Sequence, residues 1–178
     1  MKKDMKIKAE ILDKSAISRV ITRISHEIVE KNKGSKNIVI VGVRQRGDIL
    51  AERIGAKIKE IEGTNLEVGA IDITFHRDDY DINQKAEIHS SDLTFSIDGK
   101  DVILVDDVLF TGRTTRAAME VLIEYGRPKT IQLAVLIDRG HRELPIQANY
   151  VGKNVPTNMN ETIIFDLEGE DRILLAQK

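Results

Sequence analysis

Four consecutive apolar residues, Val102, Ile103, Leu104 and Val105, run directly into two carboxylates, Asp106 and Asp107. The chain then passes through Val108-Leu109-Phe110-Thr111 to Gly112, where a helical pattern begins and continues to Tyr125. A strand that is apolar at every position needs cover on both faces, the condition of a strand inside a parallel sheet flanked by helices. A second unit of the same kind lies upstream. Residues 37–43 hold the run Ile38-Val39-Ile40-Val41, and Gly47-Asp48 then opens a helix with Ile49, Leu50, Ile54 and Ile58 turned inward.

The rest of the chain fits around these two units. Residues 11–31 predict a helix, because Ile17, Val20, Ile21, Ile24 and Ile28 form one apolar stripe. Asp13 or Ser15 can cap its start and Gly34 can stop it. Strands are expected at 66–75, 130–137 and 162–165, with a last apolar segment at 173–175. Residues 76–98 are polar and weakly periodic; a loop of that length is usually functional or mobile, and 87–95 could form part of a hairpin. From Asp138 onward a Pro-punctuated loop region is expected. Alternating strands and helices indicate an α/β fold with a mainly parallel central sheet flanked by helices, in a single domain over residues 1–178.

Composition narrows the chemistry. The chain has no cysteine, which removes disulfides, thiolate zinc sites and cysteine nucleophiles. Aromatics are only 4% of its residues and Trp is absent, so stacking platforms for single-stranded nucleic acid are not expected. The formal charge of -2 means that any nucleic-acid contact needs a local basic face. The charged start lacks the apolar core of a secretion signal, and no apolar run approaches a membrane span. A cytoplasmic protein is expected.

The segment 102–115 carries the most chemistry. In a parallel sheet, ligands bind beyond the carboxyl ends of the strands, where Asp106 and Asp107 stand. A helix starting just after them offers unpaired N–H groups and a positive dipole end, which favour a phosphate. Gly112 lets the backbone approach that phosphate, and Thr111, Thr114 and Thr115 add hydroxyl donors. Carboxylates accept from sugar hydroxyls, so the combination suits a ribose phosphate. A Walker-type ending and a dinucleotide fingerprint are both absent.

This segment closely resembles the phosphoribosyl-diphosphate (PRPP) signature of the type I phosphoribosyltransferases. Further stretches resemble one branch, the PyrR family of pyrimidine-operon regulators and uracil phosphoribosyltransferases. They are Thr22-Arg23-Ile24-Ser25-His26-Glu27, Val68-Gly69-Ala70-Ile71-Asp72-Ile73-Thr74 with Arg77-Asp78-Asp79, Asp138-Arg139-Gly140-His141-Arg142-Glu143-Leu144-Pro145-Ile146, and Tyr150-Val151-Gly152-Lys153-Asn154-Val155-Pro156-Thr157. The PRPP turn is common to the superfamily, whereas the run 138–146 is far more specific to the branch.

The resemblance implies the type I phosphoribosyltransferase fold, with a flexible loop at 76–98 and a small C-terminal hood. It implies that uracil and PRPP give UMP and pyrophosphate with Mg²⁺. On that mapping Asp106 and Asp107 hold the ribose hydroxyls and touch Mg²⁺ directly or through water. Val108, Leu109, Phe110, Thr111, Gly112, Arg113, Thr114 and Thr115 surround the 5′-phosphate. Arg44, Gln45, Arg46 and Gly47 form the pyrophosphate loop, with Gln45 in place of a Thr and Arg44 in place of a common Lys. Arg46 and Arg77 meet the leaving group. Asp138, Arg139, Val151 and Lys153 fall in the base site.

The same resemblance implies UMP-dependent binding of a pyr messenger RNA leader by Thr22, Arg23, His26, Lys31, His141, Arg142 and Lys153. Gln147 stands there in place of an Arg and Asn149 in place of an Asp. Homo-oligomers are also implied. Two rivals share the PRPP turn: a purine phosphoribosyltransferase, and a non-catalytic nucleotide-sensing regulator that binds RNA.

Overall fold

The computed structural model describes residues 5–76, 78 and 93–177. Its first element is a strand, β1 (Lys6–Leu12), in a charged stretch to which the sequence pattern assigns no element. Helix α1 is Lys14–Lys31, so Ile11 and Leu12 belong to the strand and not to the predicted helix. Asp13 is the cap, its carboxylate accepting the N–H of Ala16 at 2.7 Å. β2 (Ile38–Val43) and α2 (Gly47–Glu62) follow, then β3 (Glu67–Ile71), shorter than expected because a 3₁₀ turn takes Thr74–His76. β4 (Asp101–Leu109) leads to α3 (Arg113–Tyr125), and β5 (Thr130–Asp138) to β6 (Tyr150–Asn154). β7 (Glu161–Asp166) and β8 (Arg172–Gln177) close the chain. Residues 87–92 of the hairpin expected at 87–95, like the body of the 76–98 loop, lie outside the described residues, and 93–95 are not strand.

Five strands form a parallel sheet in the order β3-β2-β4-β5-β6. From β2 the chain winds one way to β3, and from β4 it winds the other way to β5 and β6. The switch point therefore falls between β2 and β4, whose carboxyl ends open a crevice for a ligand. α1 and α2 cover one face, where Ile17, Ile24, Ile28, Leu50 and Ile58 meet Ile40, Ile103 and Val105. α3 covers the other, where Ala118, Val121 and Leu122 meet Val41, Val102 and Leu104. Each fully buried Ile or Leu of these stripes contributes roughly 1.5–3 kcal/mol.

The hood is a separate antiparallel sheet, β1-β8-β7, packed on the first core through Leu12, Phe165, Leu167 and Ile173. It is not wholly C-terminal, since β1 supplies one edge. β6 was not expected either. Its Gly152 is what admits it: a Cβ there would sit 2.3 Å from the Leu136 carbonyl and 2.7 Å from Val20.

A buried polar network fastens the end of the sheet remote from the crevice. Tyr150 donates to Gln132 Oε1 at 2.5 Å, Gln132 donates to Asn32 and Thr130, and Thr130 donates to Asp101. Burial alone would raise the Asp101 pKa, but hydrogen bonds from Asn37 and Thr130 and the Lys129 charge outweigh it and hold it low. Gln132→Leu would take the acceptor from the buried Tyr150 hydroxyl and the donor from Asn32 Oδ1, while Asn32 Nδ2 keeps the Ile28 carbonyl and Tyr150 Oη. Urea unfolding should show a loss of about 1–3 kcal/mol, with PRPP affinity unchanged because the network is far from the crevice.

Candidate active site

β4 does not end at Val105. It continues through both acids to Leu109, so Asp106 and Asp107 are strand residues, 7% and 5% exposed. Their pairing partners hold them there: Asp106 is opposite Val135 and Leu109 opposite Asp138 on β5. Burial, and next the charge of Asp107, push the Asp106 carboxyl well above its ordinary pKa. Burial raises Asp107 as well, with Arg46 opposing it. Asp106 Oδ1 accepts the N–H of Asp107 at 2.8 Å. Arg46 Nε lies 2.6 Å from Asp107 Oδ2 but off the hydrogen-bond direction, so this buried oxygen is ion-paired yet has no hydrogen-bond donor. A carboxylate oxygen kept out of water and left without a donor is suited to a ligand hydroxyl or a cation.

The loop 44–47 is brought against these acids by one small residue. A Cβ on Gly47 would lie 2.5 Å from the Val105 carbonyl and 3.2 Å from Asp106 Cα. Only glycine lets the start of α2 approach β4 so closely. The Arg44–Gln45 peptide bond is cis. Arg44 reaches Asp48 at 3.8 Å, and Arg46 also lies over the Phe165 ring of the hood at 5.2 Å.

Val108, Leu109, Phe110, Thr111, Gly112, Arg113, Thr114 and Thr115 line one cleft of about 350 Å³, together with Glu143. Gly112 has φ +93°, a left-handed conformation, and a Cβ there would press on Leu144 and Ile146. Among the described residues, the N–H groups of Phe110, Thr111 and Gly112 have no protein partner. Arg113 is bound to Asp78 and Glu143, both at 2.7 Å. Arg77 lies outside the described residues.

A neighbouring cavity, also about 350 Å³, is lined by Asp138, Arg139, Gly140, His141, Asn154, Pro156 and Thr157. Arg139 is 7% exposed and held by Nε and Nη2: it donates to Thr157 Oγ1 and the Glu161 carbonyl and lies 4.0 Å over the Phe110 ring. Asp138 accepts from Gly140 N–H at 3.0 Å and from Arg142 at 2.5 Å. Val151 is half-buried beside the α3-side core, and Lys153 reaches back to the Ile11 carbonyl at 3.2 Å.

The residues expected on an RNA face do not share one condition. Thr22, Arg23, His26 and Lys31 stand along the outer side of α1. Arg23 is turned onto β6, donating to the carbonyls of Val151 and Gly152 at 3.0 and 2.6 Å, while Lys31 lies over Tyr150 at 5.4 Å. His141 Nε2 is 2.5 Å from the Thr157 carbonyl. Arg142 donates to the carbonyls of Ile146 and Phe110 and to Asp138, so it serves the protein's own loop. Asn149 Oδ1 accepts the N–H of Leu133, a bond an Asp would make equally.

Glu143 and Phe165 were not singled out from sequence, although Glu143 sits in the quoted run 138–146. Contacts made across the chain brought them in.

The family profile of the phosphoribosyl transferase domain matches residues 8–168. The bifunctional protein PyrR of Pelotomaculum thermopropionicum is 53% identical over 174 residues, covering 96% of both chains. The chain belongs to the PyrR family of phosphoribosyltransferases. PyrR of Clostridioides difficile is also 53% identical, covering 96% of this chain and 98% of that one. Among solved structures, the hypoxanthine phosphoribosyltransferase of Trypanosoma cruzi superposes with a TM-score of 0.75 at 19% identity, covering 97% of this chain and 98% of that one. A hypoxanthine-guanine phosphoribosyltransferase of Bacillus anthracis gives 0.73 at 19%, covering 98% and 100%. At that identity the likeness shows the fold alone. No helix among the described residues is long and apolar enough to cross a membrane.

Proposed function

We propose that the protein transfers the phosphoribosyl group of PRPP to uracil, giving UMP and pyrophosphate, and that its UMP-bound form binds a pyr messenger RNA leader. One observation carries the catalytic reading: two buried carboxylates, one with a donor-free oxygen, stand beside a turn with three free N–H groups at the switch point of a parallel sheet. That set matches the vicinal hydroxyls and 5′-phosphate of one ribose.

Breaking the C1–pyrophosphate bond builds positive character on the ribose and negative charge on the departing oxygens, an oxocarbenium-like course. Asp106 and Asp107 hold the 2′- and 3′-hydroxyls and face the developing positive charge. The turn at 110–115 fixes the phosphate, so that C1 is presented to the base. Arg46 leaves Asp107 for the pyrophosphate and offsets its charge, joined by Arg77 and the amides of 44–47. Asp138 and the backbone near Val151 and Lys153 orient uracil, while Arg139 braces the wall through Phe110.

Mg²⁺ suits this donor set. Among the described residues no group of three or more acidic or imidazole side chains converges. One or two carboxylates completed by substrate phosphates is a usual Mg²⁺ arrangement, and there the ion supplies charge neutralisation of the leaving group. Mg²⁺ alone should therefore leave the melting temperature unchanged, whereas Mg²⁺ with PRPP should raise it by several degrees in a thermal-shift titration.

For RNA, Arg23 ties the outer side of α1 to the Val151–Gly152 carbonyls, a direct link between the base segment and the RNA face. The deciding experiment is pyrophosphate release from PRPP and Mg²⁺, with uracil, adenine, guanine, hypoxanthine and orotate offered separately. Turnover with uracil alone is expected. Turnover with a purine would keep the site and overturn the base; binding of PRPP or UMP without turnover would leave a nucleotide-sensing RNA regulator.

A further inference from the structure

Three successive carbonyls of the phosphate turn are held by one segment from across the sheet. The Leu109 carbonyl accepts Arg139 N–H at 3.0 Å, the Phe110 carbonyl accepts Arg142 Nη1 at 2.9 Å, and the Thr111 carbonyl accepts the N–H groups of Glu143 and Leu144 at 2.9 and 3.1 Å. In a trans peptide the N–H points opposite the carbonyl. Fixing these carbonyls toward residues 139–144 turns the N–H groups of Phe110, Thr111 and Gly112 the other way. Those are the N–H groups without a protein partner among the described residues.

Of the contacts that hold the carbonyls, the one at Phe110 alone depends on a side chain. Arg142 reaches it with Nη1 while Nη2 binds Asp138 at 2.5 Å and Nε binds the Ile146 carbonyl at 2.9 Å. All three nitrogens are thus committed to acceptors in different directions, Nη1 also reaching the Gly140 carbonyl at 3.4 Å, and the side chain is 24% exposed. The planar guanidinium can meet such a set, and an ammonium cannot. Without it, the 110–111 peptide is free to rotate and turn a carbonyl toward an incoming anion.

We propose that Arg142 is a positioning residue for PRPP and UMP, which fixes the Phe110 peptide so that the turn presents N–H groups to the 5′-phosphate. This rests on the reading of that turn as the phosphate site. It also gives Arg142 work at the nucleotide site, where the family resemblance had set it on the RNA face. Losing Arg142 frees Asp138 Oδ2, but the Gly140 N–H still holds Oδ1 at 3.0 Å and the Val155 N–H holds the Asp138 carbonyl at 2.8 Å, so the base side of the cleft keeps its place.

The test measures UMP binding by calorimetry, and KM for PRPP and for uracil separately, in wild type, Arg142→Gln and Arg142→Lys. In both variants the UMP Kd and the KM for PRPP should rise about tenfold or more, with KM for uracil within about twofold of wild type. Lysine should not rescue. Unchanged UMP affinity and PRPP KM would overturn the role, and so would a uracil KM that rises in step with the PRPP KM, since that marks general loosening. If Arg142→Gln does not fold, Arg142→Lys gives the same readouts. Wild-type protein that binds neither UMP nor PRPP would remove the reading of the site itself, and the positioning role with it.

Discussion

Replacing Asp106 and Asp107 together by Asn is expected to weaken PRPP binding by about a hundredfold or more while leaving the fold intact. Each hydrogen bond from a sugar hydroxyl to a carboxylate contributes roughly 1.5–3 kcal/mol, and two such groups are lost as charged acceptors. The backbone is not disturbed, because an amide side chain at position 106 can still accept the N–H of residue 107 through its carbonyl oxygen, as Asp106 does now. The stability effect goes the other way. Burial holds the Asp106 pKa well above the ordinary 3.8, so its contribution to folding is greatest below that value and is lost as pH rises through the folded pKa. The Asp106→Asn substitution removes that loss. Melting curves of Asp106→Asn and wild type should therefore nearly coincide near pH 4 and separate toward pH 8, the variant melting higher. Calorimetric titration with PRPP reads the binding arm. Unchanged PRPP affinity in the double variant would remove the central assignment.

Gly47→Ala is expected to cost about 2–4 kcal/mol and to lower the melting temperature by roughly 5–15 °C. The added methyl would meet the Val105 carbonyl at 2.5 Å and Asp106 Cα at 3.2 Å. Both are backbone atoms of a central strand and cannot rotate aside, so the start of α2 must move off β4. Loop 44–47 moves with it, and Arg46 is carried away from Asp107, so PRPP affinity should fall in the same variant. Gly63→Ala serves as the control. Gly63 ends α2 at φ +71° with open space around its Cα, so alanine there meets only the left-handed backbone penalty of about 1 kcal/mol. Equal losses in the two variants would mean that the close approach at Gly47 is not what matters.

Much of the sheet was legible because its signals are local. Four-residue apolar runs such as Ile38-Val39-Ile40-Val41 can be satisfied only by cover on both faces. The α1 stripe of Ile17, Ile21, Ile24 and Ile28 is periodic and deeply buried, and its cap, expected at Asp13 or Ser15, is Asp13. β1 and β6 were missed for physical reasons. β1 exposes nearly all of its side chains and is held by backbone pairing to β8, a partner more than 160 residues away. β6 is five residues long and owes its place to the absence of a side chain at Gly152. The extent of β4 was underestimated because acids ordinarily mark a strand's end, and only pairing with β5 keeps Asp106 and Asp107 inside it.

The fold class and the composition of the phosphate turn were readable along the chain, since each depends on neighbours within a few residues. The chain also carried the motifs of the PyrR family. What those side chains are free to do depends on packing between distant segments. Arg23 and Arg142 read as basic surface residues along the chain, yet carbonyls of β6 and of the phosphate turn claim them. Arg46 meets Asp107 only because β2 and β4 lie side by side at the switch point. Those contacts join residues separated by tens of positions or more, and hydrogen bonds to buried carbonyls are set by packing, which no local pattern of residues encodes.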